Sequence, residues 1–116
     1  MSEIMNIEKL LPNAEKAETF LKALANRHRL MVLCELHEGE RSVGALVEAI
    51  GLSQSALSQH LAKLREDGLV ATRRDAQTIY YSLANDNASR VIAVLYDLFC
   101  AEKPARASRA KAKGAS

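Results

Sequence analysis

Three features of this 116-residue sequence predict a mainly α-helical chain with one small β-hairpin. Apolar residues recur at helical spacing in five segments. Two short runs rich in Val, Thr, Ile and Tyr sit together between the fourth and fifth of these segments. Aromatic residues make up only 4% of the chain and Trp is absent, which favours aliphatic helix packing over a β-sandwich or a base-stacking surface.

At this length the chain can hold one domain with a modest core. A composition of 48% hydrophobic and 26% charged residues fits a soluble globular protein. No apolar run approaches the ~18–20 residues needed to cross a bilayer. The N-terminus has no basic stretch leading into an apolar one, so a cytoplasmic protein with no membrane partner is expected. The net charge of +2 hides a split. The last fourteen residues hold five of the 16 Lys and Arg and no acid, which leaves 11 basic against 14 acidic side chains elsewhere. Any nucleic-acid surface must therefore be local.

Residues 1–12 read as an N-terminal arm, whose Ile4, Met5, Ile7, Leu10 and Leu11 can dock on a partner. Residues 13–102 read as the folded domain, and the basic, stripe-free tail of 103–116 as disordered. The first helix spans Asn13 to Ala25, with Ala14, Ala17, Phe20, Leu21 and Leu24 as its apolar stripe. Asn26 is suited to cap a second helix that runs to Gly39. The centre of that helix, LMVLCEL, predicts burial on several sides. His37 lies near its C-terminal end, where a protonated imidazole suits the helix dipole. Glu40–Arg41 reads as a connector. Ser42 caps a two-turn helix whose Val43, Leu46, Val47 and Ile50 face inward.

Gly51 permits a left-handed turn, Leu52 packs beneath it, and Ser53 caps a further helix that ends at Gly68. On that helix Leu57, Leu61 and Leu64 form the inward stripe. A short helix, a tight Gly-containing turn and a second helix with polar outer positions make a helix-turn-helix. After Gly68, LVATRRD and TIYYSL read as two strands, with Arg74–Gln77 as the turn. Leu69 and Ala71 are expected on one face of the first run, and Ile79, Tyr81 and Leu83 on one face of the second. A helix-turn-helix followed by a basic-tipped hairpin is a winged helix-turn-helix. Asn85 or Asp86 caps the last helix, which Pro104 ends. That helix is apolar over more than half its circumference through Val91, Ile92, Val94, Leu95, Leu98 and Phe99. Such a helix needs a second surface to cover it, and a homodimer partner is the natural one.

The winged helix-turn-helix makes double-stranded DNA the expected partner. Candidate contacts are Ser53, Gln54, Ser55, Ser58, Gln59, His60, Lys63 and Arg65 on the reading helix, and Arg73, Arg74 and Gln77 on the wing. Their side chains hydrogen-bond to base edges and phosphates. His60 points between the buried and exposed faces and can support the helix instead. Each of these residues is also an ordinary choice for a solvated surface. No nucleophile–base pair or Gly-rich phosphate loop is present, so neither an enzyme nor a cofactor is expected. A protein- or RNA-binding winged helix without operator specificity remains open.

The runs LKALANRHRLMVLCELHEGE, LSQSALSQHLAKLREDGLV and RRDAQTIYYSL resemble the ArsR/SmtB family of small dimeric winged-helix repressors, over about Phe20–Leu83 and in the layout of the terminal helices. The resemblance implies a homodimer formed through the first and last helices, bound to a near-palindromic operator and released by an inducer. Many members sense metals. Here VGALVEAIGL, ahead of the reading helix, holds no Cys, His or Asp. The last helix has Asp97 but no His, and the three histidines are scattered, so no metal site of either familiar type is expected. Cys34 in the second helix and Cys100 at the end of the last match the placement in the BigR/SqrR subgroup, as does the DAQ-x-I-x-YS segment. That likeness implies release of the operator when this pair is bridged by a disulfide or polysulfide, in response to persulfide, polysulfide or oxidant. The other reading is a regulator with another inducer or none, whose cysteines only pack.

Overall fold

The computed structural model describes residues 5–100. The basic tail and Ile4 lie outside the described residues. Within the expected N-terminal arm the chain already turns. Asn6 caps a single turn of helix, α1 (Ile7–Leu10), by accepting the Glu8 N–H, and a 3-10 turn over Leu11–Asn13 carries Pro12 at its start. Helix α2 (Ala14–Leu24) follows directly. Asn26 then caps α3 (Arg27–His37), its Oδ1 accepting the N–H groups of His28 and Arg29 at 2.9 and 3.1 Å. Beside this cap, Arg29 Nε donates to the Ala23 carbonyl at 2.7 Å and ties the end of α2 to the start of α3.

The helix-turn-helix forms as its cap residues predict. Ser42 accepts the Ala45 N–H and starts α4 (Val43–Ile50). Gly51, at φ +84°, makes the left-handed turn that a side chain would resist. Ser53 accepts the Ala56 N–H and starts α5 (Gln54–Glu66). The hairpin pairs β2 (Val70–Asp75) with β3 (Thr78–Leu83), and Asn85 caps the last helix, α6 (Asp86–Phe99).

Several expectations need correction. Arg41–Ser42 is not a plain connector. It forms a two-residue strand, β1, that pairs antiparallel with β3, so the sheet has three strands in the order β1-β3-β2. Two residues are too few to show a period in sequence. The hairpin turn is tighter than expected: Arg74 and Asp75 pair with Ile79 and Thr78, leaving only Ala76–Gln77 as the loop, with Ala76 at φ 58°. Leu69 precedes the strand, and it is Val70 that turns inward while Ala71 is exposed. Leu21 is 58% exposed because α2 turns its Ala23–Leu24 side to the core. Helix α3 buries Val32, Leu33 and Leu36 but leaves Met31 and Cys34 at the surface, so it is covered on one side.

The core gathers Leu24, Val32, Leu33, Leu36, Leu46, Leu57, Leu61, Leu64, Leu69, Val70 and Ile92, with no buried polar side chain among the described residues. Helix α3 packs against α2, α4, α5, α6 and β3. The stripe of α5 closes on it, with Leu57, Leu61 and Leu64 each 0–1% exposed. Leu57→Ala should lower unfolding free energy by about 2–5 kcal/mol, the usual cost of emptying a sealed leucine site. Urea titration at fixed protein concentration measures it, and a loss below about 1 kcal/mol would contradict this packing.

Candidate DNA-reading surface and thiol pair

The three buried leucines of α5 fix which of its side chains point outward. Ser53, Gln54, Ser55, Ser58, Gln59, Lys63 and Arg65 are all exposed. Gln54 and Ser55 sit in the first turn, where free N–H groups and the positive end of the helix dipole favour approach to phosphates. Ser53 already uses its oxygen as the cap. Ser58, Ala62, Arg65 and Glu66 border an open cleft of about 450 Å³, with Tyr81 of β3 as the opposite wall. This cleft joins the reading helix to the hairpin. Lys63 Nζ lies 3.5 Å from Asp67 Oδ2, an ion-pair contact without hydrogen-bond geometry. The outer face of α5 is therefore polar and only weakly cationic.

His60 is placed differently. It is half-buried, and its ring sits 5.6 Å from that of His28 on α3, centroid to centroid. Separation along the chain gave no sign of this pair. Loss of solvent, then Arg29 and His28, hold the His60 imidazole below its ordinary pKa. Neutral at pH 7, it joins α5 to α3 without mutual repulsion.

On the wing, Arg74 and Gln77 are exposed. Arg73 is engaged: its Nε and Nη2 donate to Glu40 Oε2 and Oε1 at 2.8 and 2.9 Å, and its guanidinium lies 4.6 Å from the centre of the Tyr80 ring. The Arg73 hydrogen bond holds the Glu40 carboxyl below its usual range. Glu40 was missed in sequence, because its partner lies 33 residues away and no local spacing links them.

The thiols occupy packed helices. Cys34 is exposed on α3, and Cys100 is the exposed C-cap of α6, its N–H donating to the Tyr96 carbonyl at 2.7 Å. Partial burial raises the Cys34 pKa, and Glu35, Cys100 and Glu38 add to the rise. The Cys100 sulfur is therefore within electrostatic reach of Cys34. His37, three residues on, shares a 2.7 Å hydrogen bond with Ser89 Oγ and so links α3 to α6. No group of three or more His, Cys, Asp or Glu among the described residues could hold a metal ion.

A second surface is apolar. Leu10, Leu11, Leu21, Val94, Leu98 and Phe99 are each more than half exposed. Between α2 and α6 lies an open groove of about 650 Å³ whose lining includes Leu10, Ala17, Phe20, Val91 and Val94.

With this geometry in view, comparison with known proteins decides the family. The model described as "Bacterial regulatory protein, arsR family" matches residues 26–72. HlyU of Vibrio cholerae, named a transcriptional activator, is 50% identical over 96 residues, covering 83% of this chain and 89% of its own. The chain belongs to the arsR family. The reduced form of HlyU superposes with a TM-score of 0.76 at 49% identity, over 81% of this chain and 99% of that one. The transcriptional repressor BigR from Xylella fastidiosa gives 0.79 at 43% identity, over 84% and 100%. A homodimeric winged helix-turn-helix DNA-binding domain, Mb0332 of Mycobacterium bovis, gives 0.68 at 32% identity, over 84% and 89%. This arsR-family chain is thus a winged helix-turn-helix, DNA-binding transcriptional regulator, and its relatives are named as regulators and not as enzymes. No helix among its described residues is long and apolar enough to cross a membrane.

The His60 environment has a pH signature. Because its folded pKa lies below the unfolded value, the unfolded chain takes up a proton first as pH falls. Stability is therefore full above about pH 6.5 and declines as pH drops below that value toward the depressed pKa. His60→Gln should flatten this acid-side decline in thermal melts between pH 7.5 and 5. Equal declines in variant and wild type would show that His60 does not contribute.

Proposed function

We propose that this regulator is a homodimeric repressor that binds a near-palindromic operator when reduced and releases it when Cys34 and Cys100 are bridged within each subunit. The observation that carries the reading is the position of the two thiols. Both are exposed, they sit on the packed helices α3 and α6, and Cys34 feels the charge of Cys100. Cysteines that merely fill a core would be buried. The repressor sense and the redox sense draw support from BigR, titled a transcriptional repressor, and from HlyU, titled in its reduced form.

Two winged helices acting together explain how a weakly cationic surface grips DNA. The apolar face of Leu10, Leu21, Val94, Leu98 and Phe99 matches what a second copy would cover, and Mb0332 is titled as homodimeric. Each α5 then enters a major groove through Gln54, Ser55, Ser58 and Gln59, with Arg65 toward the phosphates. The two grooves lie roughly 34–36 Å apart on one face of the duplex. The site of action is the cytoplasm, where a bacterial chromosome lies.

The inducer is a persulfide, polysulfide or oxidant. With a persulfide RSSH, the two thiols give up two electrons and two protons to form the Cys34–Cys100 disulfide, and RSSH leaves as RSH and H2S. Retained sulfur atoms would lengthen the bridge where the Cα atoms stand outside the roughly 4.4–6.8 Å that a plain disulfide spans. Burial and the carboxylates of Glu35 and Glu38 hold the Cys34 pKa up, which keeps it mostly a thiol at neutral pH and suits it to close the bridge rather than to open it.

Operator affinity of the reduced protein should fall about 5–150-fold after treatment with a persulfide donor, the usual range of allosteric coupling. Mass spectrometry should find the bridge within one subunit. Cys34→Ser and Cys100→Ser should bind the operator as the reduced protein does and ignore the donor. Variants that respond like wild type would overturn the mechanism while leaving the DNA-binding surface intact.

A further inference from the structure

We propose that Arg73 and Glu40 form a strut that sets the angle of the wing, and that Arg74 is the wing's phosphate contact. The proposal rests on the DNA-facing reading of the wing given above. The strands run in the order β1-β3-β2. Glu40 immediately precedes β1 and Arg73 lies in β2, so their ion pair reaches across the middle strand. Tyr80, the cross-strand partner of Arg73 and the residue paired with Ser42 of β1, lies under the guanidinium.

The geometry is that of a fixed fork. Two parallel N–H donors meet the two carboxylate oxygens at 2.8 and 2.9 Å, the arrangement that constrains direction as well as distance. The aromatic ring holds the plane of the guanidinium from beneath. Without the pair, the hairpin joins the body only through the two-residue β1 ladder and the inward-facing residues at its base. With it, the outer strand is tied to the loop that follows α3.

Arg74 has the opposite character. The strand pleat sends it to the other face from Arg73. It pairs in register with Ile79, it is exposed, and no ion-pair or hydrogen-bond partner is found for it among the described residues. An arginine already neutralised by a carboxylate releases little counterion atmosphere when it nears DNA, whereas a free one replaces a phosphate's counterion in full.

The experiment measures affinity against salt concentration, using the palindromic duplex that reduced wild-type protein selects from a random library. Arg74→Gln should shallow the logarithmic salt slope by about 0.9 per bound subunit, one phosphate's worth each and so about 1.8 for the dimer. The neutral double variant Glu40→Gln/Arg73→Gln should keep the wild-type slope while binding several-fold more weakly. The charge-swapped double variant Glu40→Arg/Arg73→Glu should recover most of the affinity by rebuilding the fork in reverse. If the neutral double variant instead loses about 0.9 per subunit and the swap binds worse still, Arg73 touches phosphate and the strut is overturned. If Arg74→Gln leaves the slope untouched, the wing does not meet the backbone there, and both this proposal and the wing assignment fall while the reading helix stands. The neutral double variant alone decides the question should the swap not fold.

Discussion

Helix α3 is the one element on which α2, α4, α5, α6 and β3 all pack. One side of it supplies Val32, Leu33 and Leu36 to the core. Its first turn is held by Asn26 and by the Arg29 bond to Ala23, and its last is tied to α6 through His37 and Ser89. Its outer side carries Cys34 and the carboxylate of Glu35, which pairs with Arg41 of β1 at 3.6 Å. A close-packed interior does not yield locally. A force applied to α3 at its thiol therefore has to move the elements it touches, and α5 is one of them.

Under the proposed thiol switch, that position lets a reading helix with no inducer site of its own respond to the cysteines. The exposed face of α5 is largely Gln and Ser, one of its two cations is held by Asp67, and the chain before the basic tail has more acids than bases. Such a surface binds through fit and duplication more than through bulk charge. When fit between two helices and two grooves supplies the affinity, a small rotation of each subunit is enough to abolish it. In the proposed reduced, DNA-bound dimer, the His28–His60 contact, the α5 stripe and the Glu40–Arg73 pair would hold that fit.

The legible part of the fold is the part written in local patterns. Asn26, Ser42, Ser53 and Asn85 each cap the helix expected of them, Gly51 makes its left-handed turn, and Leu57, Leu61 and Leu64 are sealed in the core. What sequence could not show is what depends on partners far along the chain. Strand β1 is two residues long and exists only because Tyr80 and Tyr81 lie beside it. Arg73 looks like any exposed wing arginine until Glu40 comes within 3 Å of it, and His60 like any helix-face histidine until the His28 ring stands 5.6 Å away across a helix interface. The exposure of Leu21 follows from the rotation of α2, which its broad apolar arc leaves open.

The proposed switch acts through the spacing of the two reading helices. It is tested most directly by pulsed electron spin resonance on dimers carrying a spin-labelled noncanonical residue at exposed Glu66, at the end of α5 and outside the groove contacts, with both cysteines left native. In the reduced dimer bound to DNA, the inter-subunit distance should fit successive major grooves, roughly 34–36 Å apart. In the bridged dimer free of DNA, the distribution should move away from the reduced, DNA-free one as operator affinity falls. An unchanged distribution in a protein that has lost its operator would contradict the account.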